Sequence, residues 1–136
     1  MFIELNQILL QSQHYSHDYW EDCGSLEAED CLRSFQSHDW QALVQNLPNQ
    51  PEFWRTNLIA VLQQIPSSEG VHILAQLCRD SQPSVARAAK RSILKMAKNA
   101  QPESTYAAEL QQLAADITAE KKPFRLFHFL HRKQPH

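Results

Sequence analysis

Residues 79–98 read RDSQPSVARAAKRSILKMAK, and the spacing of their side chains decides the fold. Val85, Ala89, Ser92 and Met96 recur at the three- and four-residue steps of an α-helix that buries one face, with Ile93 beside them. Small residues on that face let a neighbouring helix approach closely. Arg87, Lys90, Arg91, Lys95 and Lys98 are left for the other face, most of them in one cationic stripe. Pro83 stands where a first turn tolerates proline, and Ser84 or Ser81 is the expected N-cap.

The same spacing extends in both directions. Towards the N-terminus, Trp54, Leu58, Val61, Leu62 and Ile65 mark one helix, and Val71, Leu74, Ala75 and Cys78 mark its partner after PSSEG. Before them, Ala28, Cys31, Leu32 and Phe35 pair with Trp40, Leu43, Val44 and Leu47. Towards the C-terminus, Tyr106, Leu110, Leu113, Ala114 and Ile117 follow the opening stretch as its partner. Helix pairs are therefore expected at about 26–47, 52–79 and 83–118, after an N-terminal helix and acidic loop at 1–25 and before a tail at 119–136. Asp39 and Ser68 are expected N-caps. Pro51 and Pro102 suit first turns, and Pro48 and Pro66 suit helix stops.

A weak repeat supports stacking of these pairs. The set Trp54, Leu58, Val61, Leu62, Ile65 maps onto Val85, Ala89, Ser92, Ile93, Met96 with a constant shift of 31. The expected fold is all-α: a small single domain, 1–136, built as an α-solenoid-like stack of helix pairs. Trp40, Leu43, Leu58, Leu62, Leu74, Leu77, Ile93, Leu110 and Leu113 are its expected core.

Composition narrows the chemistry. The chain has 136 residues and only two glycines, Gly24 and Gly70, so phosphate-cradling loops are disfavoured. No P-loop, dinucleotide fingerprint or Ser-His-Asp order is present, and no catalytic residue or cofactor is expected. The segment HYSHDYWEDC, residues 14–23, offers His14, His17 and Cys23 among acids, but matches no established zinc spacing, so no metal is expected. His38, His72, His128 and His131 read as surface or packing histidines. Cys23, Cys31 and Cys78 are odd in number, which suits reduced thiols, and no apolar run is long enough for a membrane. With no secretory signal in MFIELNQILLQSQ, a cytoplasmic location is expected.

Charge is distributed unevenly. Residues 1–50 hold eight acids against Arg33 alone, whereas the rest hold 12 Lys and Arg against seven acids. Such asymmetry bears on partners and association rates. Asp18, Glu21, Asp22, Glu27, Glu29, Asp30 and Asp39 form the acidic part, with Tyr19 and Trp20 inserted as aromatic anchors. Trp20 has an alternative place, sealing the core where the first helix meets the second. The rival surface is the basic face of Arg87, Lys90, Arg91 and Lys95. It lacks interleaved aromatics and base-reading side chains, so direct nucleic-acid binding is not expected.

The stretch from Leu26 to Val85 resembles small bacterial immunity proteins with HEAT-like helices. The matching elements are an acidic helix, then Asp39, Trp40 and Leu43, a proline turn, Trp54, Leu58, Ile59 and Ala60, and finally Ile73, Leu74 and Leu77. DSQPSVARAAKRSIL likewise resembles the second-to-last unit of a HEAT-like protein. The resemblance implies a protein that binds and blocks a cognate toxin C-terminal domain, as in contact-dependent growth inhibition, without catalysis. Such toxins are often nucleases, whose basic grooves an acidic inhibitor can occupy. A generic HEAT-like adaptor and a nucleic-acid-binding helical repeat remain the alternatives.

Overall fold

In the computed structural model, which describes residues 1–121, each apolar repeat of the sequence is a helix. The elements are α1 (Phe2–Gln11), α2 (His17–Tyr19), α3 (Ser25–Arg33), α4 (Ser37–Asn46), α5 (Glu52–Gln64), α6 (Ser68–Leu77), α7 (Pro83–Asn99) and α8 (Ala107–Lys121). Among the described residues there is no strand. Phe124, Phe127 and Leu130, expected to cap the last pair, and Arg125, Arg132 and Lys133, expected in water, lie outside the described residues.

Packing follows the apolar faces. α5 lies between α3 and α7, and α7 also packs on α6 and α8. Leu43, Leu58, Leu62, Leu74, Leu77, Ile93 and Leu110 are enclosed, together with Trp54. Trp40 and Leu113, expected in the same core, are only half-buried against it. Trp40 instead meets Phe35 edge-on, with ring centroids 4.9 Å apart.

The helix starts depart from the expected caps by one to three residues. Asp39 is the third residue of α4, not its cap, and its Oδ2 accepts the Gln36 N–H at 2.9 Å. Ser67 rather than Ser68 caps α6, its hydroxyl accepting the Gly70 N–H at 2.9 Å. Gln82 precedes α7, and the Ser84 hydroxyl donates to the Glu52 carboxylate instead of capping. Pro102 lies before α8, which begins at Ala107.

The acidic loop is the larger correction. The Ser16 hydroxyl caps α2 by accepting the Tyr19 N–H at 3.1 Å, and the chain then runs helically through a π-helical turn, Trp20–Gly24, into α3. Gly24 makes this turn fit: a Cβ there would stand 2.8 Å from Trp20 Cε3 and 3.1 Å from the Tyr15 ring. The wider turn takes in one extra residue, and Trp20 at its start is buried.

Polar contacts fasten the N-terminal part to the pairs. α1 packs against α3, α4 and α5. Trp54 Nε1 donates to Asn6 Oδ1 at 2.9 Å, and Asn57 Nδ2 donates to Ser12 Oγ at 2.8 Å. Ser12 Oγ donates in turn to the Leu9 carbonyl at 2.6 Å, which satisfies a buried hydroxyl. Asp39 Oδ1 accepts from the Phe2 N–H and the Met1 ammonium, each at 3.2 Å.

Candidate functional site

The helical run 17–33 carries the acidic surface. Asp18, Glu21, Asp22, Glu27 and Asp30 are exposed on it, and Glu29 is half-buried. Arg33, the one Lys or Arg among residues 1–50, bonds Asp30 through Nη1 at 2.7 Å and stands 3.8 Å from Glu29. His17 Nε2 lies 3.4 Å from Glu21. Much of the negative charge at Asp18, Asp22 and Glu27 is thus left facing water.

Two of the expected contact residues are withdrawn from this surface. Trp20 is only 9% exposed and belongs to the core, as its alternative reading had it. Asp39 is 4% exposed and occupied by backbone donors. Its carboxyl is pushed down to about 2, first by the Gln36 N–H and then by the Phe2 N–H, the terminal ammonium and His38. A carboxylate so enclosed and engaged holds α1 to α4 and is not presented to a partner. Tyr19 does stay exposed, with its ring 4.6 Å from that of Tyr15.

Sequence reasoning missed Leu26, which is 53% exposed among the acids. Its signal was available: Asp22, Leu26 and Asp30 follow each other at one helical step, so a face carrying Asp22 and Asp30 into water must carry Leu26 as well. Trp20, Glu21, Ser25, Leu26 and Glu29 border a cleft of about 240 Å³ whose other wall is Ala60 and Gln64 of α5.

The basic face lies across α5. Arg91, Lys95 and Lys98 line a second cleft, of about 620 Å³, with Thr56, Ile59 and Ala60 on its α5 side. Lys90 does not share this stripe, because its Nζ reaches Glu120 of α8 at 3.3 Å. Ala60 borders both clefts, so acids and cations flank a single strip of α5.

Another cleft, of about 690 Å³, is elsewhere, where α5, α6, α7 and α8 meet. Arg55 and Asp80 line it as a nearly buried pair, with Nη1 3.4 Å from Oδ2, while Arg55 Nε is buried without a partner. Cys78 also lines it. Burial pushes its thiol up, as it does Cys31, so both sulfurs are held protonated rather than as nucleophilic thiolates. A further cleft of about 450 Å³ runs between α4 and α6 past Trp40, Val44 and Ile73.

Among the described residues no three His, Cys, Asp or Glu side chains stand close enough to hold a metal, so His14 and His17 are not joined by a third ligand. No helix there is long and apolar enough to cross a membrane. No protein-family model, no curated protein and no solved structure matches the chain. The likeness to HEAT-like immunity proteins accordingly rests on the residues quoted for it.

Proposed function

We propose that the chain is an immunity protein that binds a cognate toxin C-terminal domain and occludes it without catalysis. The observation that carries this reading is the conversion of the acidic segment into a helical surface. Asp18, Glu21, Asp22, Glu27 and Asp30 are exposed along one run of helix, with Tyr19 and Leu26 exposed beside them. A rigid acidic surface with apolar contacts loses less entropy on binding than a loop, and its charge speeds encounter with a basic groove. In this reading the row α3, α5, α7 is one side of a short α-solenoid-like stack.

The test is co-expression with the C-terminal domain of the protein encoded immediately upstream. Protection from growth arrest and a stable stoichiometric complex are expected. Asp22→Lys with Asp30→Lys should slow association, and Tyr19→Ala should speed dissociation. A toxic upstream domain that the wild-type chain neither binds nor neutralises sinks the reading. Retained protection in the acidic variants, with protection lost in Arg87→Glu, Arg91→Glu, moves the site to the basic face.

A further inference from the structure

The two charged edges share one face of the molecule. Glu21 and Glu29 border its first edge, with exposed Asp22 next to Glu21, and Arg91, Lys95 and Lys98 line its last. Between them the exposed strip of α5 carries Glu52 in its first turn, where the Ser84 hydroxyl donates to it, and is uncharged from Thr56 through Ala60 to Gln64. Apolar groups run across it, from Leu26 through Ala60 to half-buried Leu94. Among the described residues Arg91, Lys95 and Lys98 have no ion-pair partner.

A face that is acidic on one edge, neutral in the middle and basic on the other complements its own rotated image. We propose that this face joins two copies of the chain about a two-fold axis running along α5. That rotation lays the acidic edge of each copy on α7 of the other and brings the two α5 strips together. An axis lying in the face but across α5 would set acid against acid, so the charge pattern selects one orientation. The cations without partners and the exposed Leu26 then both find a place.

Size sets the strength. Three helices about 10 Å apart and about 20 Å long present roughly 600 Å² per copy. A standard stable interface uses about 800 Å² per partner. The pair is therefore weak and sensitive to salt. The pairing does not rest on the toxin reading, and a toxin bound to the acidic run would compete with it for Glu21 and Asp22.

Sedimentation of the full chain over a dilution series tests the proposal at two ionic strengths. Dimer is expected near 0.01 M, where the Debye length is about 30 Å, and monomer near 1 M, where it is about 3 Å. Ala60→Arg, at an exposed position on the axis, should leave the helical spectrum intact and shift the low-salt protein to monomer. Two reversed chains give the sharper result: Glu21→Lys, Asp22→Lys in one, and Arg91→Glu, Lys95→Glu in the other. Each alone opposes like charges at both edges and should be monomeric. Mixed in equal amounts, they oppose unlike charges at both edges and should dimerise. A wild-type chain that stays monomeric near 0.01 M overturns the proposal, as does a dimer that survives Ala60→Arg or a mixture that fails to pair.

Discussion

The N-terminal third and the helix pairs that follow it hold together by different means. In the pairs from α5 to α8, large apolar side chains repeat at helical steps and meet one another, and Leu58, Leu62, Leu74, Ile93 and Leu110 are all enclosed. From α1 to α3 the apolar faces are shorter, and the fit depends on individual groups: Asn6 on Trp54, Ser12 on Asn57, Asp39 on the first residues, and the bare Cα of Gly24 under Trp20. Loss of one enclosed side chain in the first kind of region removes much buried apolar contact, whereas loss of one specific fit in the second loosens only its own junction.

The largest effect should come from the repetitive part, because that is where most apolar surface is buried. Leu62 is fully enclosed, and Leu62→Ala should cost about 2–5 kcal/mol through lost transfer energy and an incompletely closed cavity. Urea unfolding of the two proteins measures it. A cost below about 1 kcal/mol would mean that α5 repacks freely, and the contrast between the regions would collapse.

Gly24→Ala probes the other region. The added methyl must push Trp20 or Tyr15 aside, which overpacking elsewhere prices at about 1–3 kcal/mol. Native-state hydrogen exchange gives the discriminating readout. Amides of α1 and α3 should open faster while those of α6 and α7 keep their protection. Uniform acceleration across all helices would show one cooperative unit in place of two regions.

The same contrast explains what could be read from the sequence. Periodicity located the helices, since Trp54 to Leu62 and Val85 to Met96 bury the residues that the helical step selects. It failed at residues 17–24, where a π-helical turn breaks the step and carries Trp20 from a supposed surface anchor into the core. Nothing local marks such a turn except a glycine in a polar run, and Gly24 reads equally well as a loop. Asp39 failed for a related reason. An acid near a helix start could be a cap, a third residue or a surface charge, and the backbone donors of residues 1 and 2, which decide among these, lie more than thirty positions away. The candidate surface was half legible: Tyr19 and the exposed acids were found, Leu26 was missed although the spacing from Asp30 offered it, and the cleft against α5 depends on which helix packs beside which.

The smallest expected effect concerns Asp39, and it separates charge from shape at the junction of the two regions. Its folded carboxyl sits at about 2, below the ordinary value of 3.8, because the Gln36 and Phe2 N–H groups and the terminal ammonium favour the ionised form. A carboxyl depressed on folding contributes stability that is complete above the unfolded value and is lost as pH falls through the folded one. Asp39→Asn keeps an oxygen acceptor for one backbone donor but removes the charge. The variant should therefore be less stable than wild type at neutral pH, and the gap should close between about pH 4 and about pH 2. Titrating groups remote from Asp39 are common to both proteins and cancel in the difference, whereas the terminal ammonium and Glu4, which the Asp39 charge raises, add to it. Urea midpoints across that range give the result directly. A gap that stays constant down to pH 2 would mean that Asp39 acts through its shape alone, and that α1 is held to α4 by fit, like Gly24 beneath Trp20, with no help from charge.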